Sequence, residues 1–326
     1  MEQYKDLEEK AEHFLQSQTI NTPEELDAAM NELANFMGNK KLHAVFRGVH
    51  EAKYKLYSSF QRMWFDRNLG ETGTDPYLLV QNMIYHCFNR KHVLFKYFKQ
   101  LGVICNDWLI LSFLQHYGGA SPLLDFSRNY KVALYFLCKG LKPYYGKEEI
   151  HHYASIYYYK YVEAGKKFIS LYRYAHEIVK GKTLIHKDNI WKNELRFSSV
   201  MKNIPNSEPI IIPAHNNRTH IKTEENKIAT FYTVSNINLT SQKGEFVCNM
   251  DVEQPLEDVF HKDGKKYICC LNIHKGLREY IIEKYLGGSL ERNDSLYFPS
   301  EEQIAKDALE HTLKNINLAK AEPPQP

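Results

Sequence analysis

Between residues 114 and 138, polar residues and glycines separate two apolar segments. Apolar residues recur at helical spacing over residues 106–117, which predicts a helix that ends at a pair of glycines. Residues 123–126 form a short apolar run, and Ser127 is predicted to cap a following helix that ends at Gly140. The polar residues therefore lie at chain turns, where backbone N–H groups are available to a ligand.

The remaining elements follow from the same pattern. An apolar run over residues 43–46 predicts a strand that ends at Arg47-Gly48, and the region before Asn39 predicts two helices, the second capped by Thr22. Further helices are predicted at 76–100, 275–285 and 300–318, and strands at 154–161, 209–213, 227–234, 246–250 and 267–273. Helices concentrate before residue 150 and strands after it, which indicates an α+β fold with a mixed or antiparallel sheet and flanking helices.

The pattern divides the chain into three parts. We expect an N-terminal helical cover over residues 1–40, one α+β domain over residues 41–318 and a disordered tail over residues 319–326. The charged N-terminus does not resemble a signal peptide, and no run of about 18 apolar residues occurs. The sequence therefore predicts a cytoplasmic protein that has no contact with a membrane.

The composition says little about which ligand or partner the protein binds. The 43% hydrophobic and 25% charged content is ordinary for a globular protein, and a net charge of +3 argues neither for nor against a nucleic-acid partner. The six cysteines lack metal-ligand spacing, and Cys269 and Cys270 in one strand would point to opposite faces. The His151-His152 pair lacks a nearby third ligand. We therefore expect reduced cysteines and no metal.

Two motifs in this order resemble the FRG domain, a bacterial family named after its Phe/Tyr-Arg-Gly signature. The chain shows Phe46-Arg47-Gly48, then YKLYSSFQR at 54–62, Gln115-His116-Tyr117-Gly118, Leu123-Leu124-Asp125-Phe126-Ser127 and Ala133-Leu134-Tyr135-Phe136. Later elements of the resemblance are Asn217-Arg218, Ala229-Thr230-Phe231 and Leu296-Tyr297-Phe298-Pro299. Ser121-Pro122 stands where Thr-Arg is usual, and the late Gln-x-Gly is missing. The resemblance spans about residues 41 to 312.

The FRG layout is in turn similar to ADP-ribosyltransferases of the Arg-Ser-Glu kind, an analogy of layout alone. Those enzymes place Arg-Gly on a first strand, serines on a second strand and a Glu or Gln on a late strand. The resemblance implies that Arg47-Gly48 binds the diphosphate of NAD and that Ser58-Ser59 supports the nicotinamide ribose. It implies that Glu224-Glu225, or the rival Glu194, orients a ribose hydroxyl.

The candidate catalytic residues also have structural interpretations. The guanidinium of Arg47 is suited to two-point binding of phosphate, and the following glycine lets a ligand approach. The structural alternative is that Arg47 braces a buried carboxylate. His116 lies near a helix C-terminus, where the dipole favours the imidazolium, so it either caps the helix or lines a pocket. Asp125 is either a cap for backbone N–H groups or a catalytic carboxylate.

Three further residues are predicted to contact a bound nucleotide. Gln115 points about 100° away from His116 on a helix, so both face one ligand only if the helix ends between them. Tyr117 is predicted to stack on a ring of the ligand. Ser127 is interpreted first as a helix cap, with contact to the nucleotide as the alternative.

Three functions remain open at this point. The first is an enzyme that takes NAD as a substrate and transfers ADP-ribose or cleaves NAD, in the setting of bacterial defence or toxicity that the resemblance implies. The second is a non-catalytic module that senses a nucleotide or a protein. The third is an effector directed at nucleic acid. All three functions need a cleft that binds a ligand. We therefore predict that Arg47 lies within about 15 Å of His116 and Asp125, since a small-ligand site is seldom wider.

Overall fold

The computed structural model describes residues 2–38, 43–89, 91–100, 102, 105–160, 169–171, 174, 196–203, 208–213, 219–222, 228–231, 237–259 and 264–298. The strands are β1 Gln16–Ile20, β2 Ala44–Val49, β3 Leu123–Ser127, β4 Tyr153–Lys160, β5 Ile169–Ser170, β6 Ile210–Pro213, β7 Thr219–Lys222, β8 Ile228–Phe231, β9 Gly244–Cys248 and β10 Ile268–His274. The helices are α1 Leu7–Ala11, α2 Pro23–Gly38, α3 Ser59–Asp66, α4 Pro76–Asn89, α5 Lys91–Gln100, α6 Asp107–His116, α7 Tyr130–Lys139, α8 Phe197–Asn203, α9 Ile237–Ser241, α10 Leu256–Val259, α11 Arg278–Tyr285 and α12 Leu290–Tyr297. Short 3-10 turns occupy Leu69–Thr72, Glu149–His152 and Lys275–Leu277.

Eight of these strands form one mixed sheet in the order β1-β10-β4-β2-β3-β9-β6-β5. The outermost pairs, β1 with β10 and β5 with β6, are parallel, and the pairs between them are antiparallel. Strands β7 and β8 form a separate antiparallel pair. Because helices flank a mixed sheet, the predicted α+β class is confirmed.

The sheet carries apolar side chains on both faces, and strand alternation sorts them into clusters. Val45 and Tyr157 face one cluster, whereas Phe46 and Tyr158 face another beneath α2, α7 and α11. A third cluster joins α3, α4 and α6 to β3, β6 and β9. Two helical layers therefore cover different halves of the sheet, and strands β2 and β3 lie where the halves adjoin.

The structure corrects several predicted elements. The N-terminal region is not two helices, because β1 lies between α1 and α2 and pairs with β10. The helix predicted over 76–100 is two helices, α4 and α5. Strands β1, β2 and β3 precede residue 150, so the predicted separation of helices from strands is wrong. Strand β1 had no signal in the local pattern, because it is mostly polar and is held by pairing with the distant strand β10.

Other predictions agree with the structure or lie outside it. Cys269 and Cys270 lie in apolar clusters on opposite faces of β10, as predicted. The predicted helix at 300–318 and the predicted tail lie outside the described residues, and the division into three parts remains a prediction. Among the described residues, no helix combines the length and the apolarity that crossing a bilayer requires.

Candidate functional site

Strands β2 and β3 pair only at Phe46 and Ser127. In contrast, β3 pairs with β9 along its whole length. A cavity of about 250 Å³ lies beside the single β2–β3 bridge. It is lined by Phe46, Arg47, Gly48, His116, Asp125, Phe126, Ser127, Val132, Ala133, Phe136, Gln242 and Phe298. The predicted cleft is therefore present, and both sequence motifs contribute to its wall.

Arg47 connects the two strands across the cleft. It lies within β2 rather than at its end, which corrects the predicted position. Its Nη1 donates to the backbone carbonyl of Asp125 at 2.7 Å and lies 3.9 Å from that residue's Oδ2. The side chain is only 23% exposed. Burial lowers the pKa of Arg47, the positive charge of Arg62 lowers it further, and Asp125 opposes both effects.

The carboxylate of Asp125 is held by Gln115, which does not line the cavity and is itself bonded to Ser59. Gln115 Nε2 donates to Asp125 Oδ2 at 2.7 Å, and Ser59 Oγ donates to Gln115 Oε1 at 3.3 Å. Ser59 Oγ also accepts the backbone N–H of Ser121 at 3.0 Å, which anchors this chain of bonds. Gln115 thus bonds to Asp125 and Ser59 bonds to Gln115, and neither lines the space where a nucleotide was predicted to bind. Together they restrict the orientation of the Asp125 carboxylate.

His116 lines the same cavity from the last residue of α6. Its ring centroid lies 5.9 Å from that of Phe246. Burial lowers the pKa of His116, and the opposing effect of Asp125 is smaller. The expectation that the helix dipole favours an imidazolium here is therefore wrong, because desolvation penalises the charged ring more strongly. The neutral imidazole is favoured at neutral pH.

Three buried polar atoms at this cavity have no hydrogen-bond partner among the described residues. They are Arg47 Nε, His116 Nε2 and Asp125 Oδ1. They come from three different elements, β2, α6 and β3. Buried polar atoms in proteins are almost always paired, and each unpaired atom costs about 1–3 kcal/mol. Their convergence on one cavity indicates a place for a polar ligand.

The two serine predictions need correction. Ser58 caps α3 in a reciprocal arrangement with Gln61, so Ser58-Ser59 begins a helix and does not lie on a second strand. Ser127 ends β3 and lines the cavity, whereas the cap of α7 is Asn129, whose side chain accepts the N–H of Lys131. The hydroxyl of Ser127 donates to the Gln242 carbonyl at 2.5 Å.

The remaining predicted residues either do not line the cavity or lie outside the described residues. Tyr117 is 58% exposed, and its ring lies 4.6 Å from Phe113 rather than in the cavity wall. Glu224-Glu225 and Glu194 lie outside the described residues. No group of three or more potential metal ligands occurs in the described part of the chain.

Seven cavity residues were not among the candidate site residues: Phe46, Phe126, Val132, Ala133, Phe136, Gln242 and Phe298. The rings of Phe136 and Phe298 meet edge to face at 5.8 Å. Both residues belong to motifs that carry the family resemblance, so the motifs could have identified them as site residues. Gln242 has no such signal, since it reaches the cavity through the turn between α9 and β9.

The fold and site define an α+β protein with a cavity between an Arg-Gly strand and an Asp-bearing strand. In a comparison with known families, residues 42–144 match the sequence model of the FRG domain. The chain therefore carries an FRG domain, and this segment contains Arg47, His116 and Asp125. No curated protein and no solved structure gives a significant match to the chain.

Proposed function

We propose that the cavity binds NAD and that the protein cleaves its bond to nicotinamide, passing ADP-ribose to water or to an acceptor. The observation that carries this proposal is the convergence of the unpaired Arg47 Nε, Asp125 Oδ1 and His116 Nε2 on one cavity. An N–H donor for an anion, a carboxylate oxygen and a neutral imidazole are three groups that can assist this reaction.

Arg47 would bind the diphosphate of NAD. Its Nη1 is already engaged with the Asp125 carbonyl, so the edge formed by Nε and Nη2 is the one suited to two phosphate oxygens. Arg62 adds a second positive charge to the surroundings of Asp125. Arg62 also interacts with Asp66, so the charges around Asp125 are balanced, and the case for an anionic ligand rests on the free edge of Arg47.

Asp125 would stabilise the positive charge that develops on the ribose. As the bond between C1′ and the pyridinium nitrogen breaks, its electron pair moves to the nitrogen and neutral nicotinamide leaves. The ribosyl group is then oxocarbenium-like, and a nearby carboxylate lowers its free energy. Gln115 holds Asp125 Oδ2 at 2.7 Å, which leaves Oδ1 as the oxygen that faces this charge.

His116 would take the proton. The attacking water or acceptor hydroxyl forms a bond to C1′ and must lose one proton, and a neutral Nε2 is able to accept it. Burial keeps His116 neutral, because it lowers the pKa of the ring. At about 250 Å³, the cavity is slightly smaller than typical ligand pockets of roughly 300–1,000 Å³. It would therefore take the nicotinamide ribose and the diphosphate, and leave the adenosine outside.

Nicotinamide release tests the proposal directly. Purified protein is incubated with NAD carrying label in the adenosine part, and free nicotinamide, free ADP-ribose and labelled macromolecules are measured. We expect nicotinamide release by the native protein and loss of at least about tenfold in Asp125→Asn, which keeps the shape of the side chain and removes its charge. Glu283→Gln, on the exposed face of α11 and away from the cavity, serves as the control and keeps the native rate. The proposal is overturned if the native protein neither binds NAD nor releases nicotinamide from it.

A second candidate is a site that binds the nucleotide without cleaving it. The observation that favours it is that Arg47 and Gln115 already donate hydrogen bonds to Asp125. The bond from Arg47 joins β2 to β3, so it also has a structural role. In that case calorimetry detects NAD binding that depends on Arg47, and no nicotinamide is released over hours.

A further inference from the structure

A second cavity, of about 450 Å³, lies where the chain leaves α7 and where β10 passes into α11. It is lined by Leu141, Pro143, Tyr144, Tyr145, His152, His274, Lys275, Gly276, Arg278 and Glu279. None of these residues lines the first cavity. Its volume falls within the range of roughly 300–1,000 Å³ that is typical of small-molecule sites.

Aromatic rings dominate this second cavity. The imidazoles of His152 and His274 are nearly parallel, at 3°, with centroids 6.1 Å apart. The ring of Tyr144 meets His152 edge to face at 5.3 Å. Tyr145 is 92% exposed, although burying a tyrosine ring is normally favourable. An exposed ring beside a set of packed rings offers a stacking surface for a planar ligand.

The hydrogen bonds of the two histidines assign their ring protons. His274 Nδ1 accepts the backbone N–H of Gly276 at 3.1 Å, so the proton of its neutral ring is on Nε2. His152 Nε2 donates to the Gly146 carbonyl at 2.9 Å, which leaves Nδ1 of its neutral ring as an acceptor. His274 Nε2–H thus remains as a donor and His152 Nδ1 as an acceptor. The edge of a nucleobase carries both donors and acceptors, so it is able to pair with both atoms.

The charges around the cavity are balanced. Lys275 Nζ lies 2.7 Å from Glu51 Oε1, and Arg278 Nη1 is paired with Glu279. Arg278 also donates from Nε to the Cys138 carbonyl at 3.4 Å. Because each cation has a carboxylate partner, the cavity favours a planar ligand of little charge over a polyphosphate.

We propose that this second cavity binds a nucleobase, with Tyr145 stacking on its face and the two histidines bonding to its edge. The base belongs either to a free nucleoside or to single-stranded nucleic acid. This goes beyond NAD cleavage at the first cavity, and it stands without it. It adds a site at which a base-containing molecule is held by the same protein.

The test measures binding of adenosine and of the oligonucleotide rA6 to the full chain by calorimetry. Tyr145→Leu removes the ring, and we expect it to weaken binding by roughly 5- to 150-fold, the equivalent of about 1–3 kcal/mol for one stacked base. Tyr145→Phe keeps the ring and should bind within about threefold of the native protein. Tyr85→Leu is the matched control, since Tyr85 is a 60% exposed tyrosine on α4, away from this cavity.

The two probes distinguish the sources of the base. Equal binding of adenosine and rA6, both dependent on Tyr145, supports a nucleoside site, and binding of rA6 alone supports single-stranded nucleic acid. If neither adenosine nor rA6 binds to the native protein, the proposal is overturned. Equal effects of Tyr145→Leu and Tyr85→Leu also overturn it, because stacking at this cavity would then not contribute.

Discussion

Gly48 on β2 lies directly against the backbone of Ala133 on α7. A Cβ atom added to Gly48 would lie 1.8 Å from the Ala133 carbonyl oxygen and 3.1 Å from the backbone nitrogen of Leu137. The glycine of the Phe-Arg-Gly signature therefore lets a helix approach a strand closely. This contact also defines the cavity, because Gly48 and Ala133 both line it.

The first prediction concerns this contact. Gly48→Ala forces α7 away from β2, and we expect a loss of at least about 1–3 kcal/mol in the free energy of unfolding, as for other overpacked cores. Chemical denaturation measures it. Gly70→Ala is the control, because its added Cβ would meet only Trp64 at 3.6 Å, an ordinary contact. Equal stability of the two variants would contradict the close packing.

The second prediction concerns Arg47. Lysine has one ammonium group and is unable to bond the Asp125 carbonyl while binding two phosphate oxygens. We expect Arg47→Lys to weaken NAD binding by about 1.5–3 kcal/mol, the usual contribution of one charged hydrogen bond. Calorimetric titration measures the affinity, and thermal unfolding measures the cost to the fold. Native affinity together with a much lower melting temperature would identify Arg47 as a structural brace only.

The third prediction concerns the pH dependence of the reaction. Burial lowers the pKa of His116, so the ring is neutral above its ordinary value of about 6.5 and remains neutral somewhat below it. The rate of nicotinamide release should therefore be level above pH 6.5 and fall at lower pH, as the ring becomes protonated. His116→Gln should lower the rate and remove this acid limb. An unchanged acid limb in that variant would exclude His116 as the proton acceptor.

The fourth prediction concerns stability and the same histidine. The unfolded chain binds a proton at His116 more readily than the folded protein, because the folded pKa is lowered. The free energy of unfolding should therefore rise with pH between the lowered pKa of His116 in the folded protein and its value near 6.5 in the unfolded chain. The stability that neutral His116 contributes is lost as the pH falls through this window. Melting temperatures of the native protein and His116→Gln across pH 5–7.5 test this. Parallel curves would contradict it.

The fifth prediction concerns Gln115, which we infer to be a positioning residue. Gln115→Leu removes the donor to Asp125 Oδ2, so the carboxylate should lose its orientation. We expect kcat to fall by about tenfold or more with little change in KM, because Gln115 does not line the cavity. Gln100→Leu, on the exposed end of α5, is the control. A change confined to KM would instead indicate direct contact with the substrate.

Local features of the sequence were sufficient for much of the site. The helix predicted over 106–117 is α6, Asp107–His116, and the strand predicted over 267–273 is β10, Ile268–His274. The two motifs place Arg47, His116 and Asp125 at one cavity, as predicted. Periodicity and capping depend on residues within a few positions of each other, so one sequence contains this information.

The partners of these residues were decided only by tertiary structure. Gln115 bonds Asp125 because α6 and β3 pack together, and the Ser127 hydroxyl reaches the Gln242 carbonyl in a distant turn. Lys10 is another example, since it lies in a charged N-terminal run yet is fully buried. There its ammonium donates to the Ala52 carbonyl, Ser155 Oγ and Asn272 Oδ1.

The protonation state of His116 shows the physical reason. From the sequence, the helix C-terminus favours the imidazolium, because the dipole is a local property of the chain. In the folded protein, burial near Phe246 and the strands beneath it removes water from the ring and reverses that preference. The sequence determined which polar side chains meet at the cleft. Desolvation by segments far away in the chain decided how they are charged, and packing decided which of their atoms are left for a ligand.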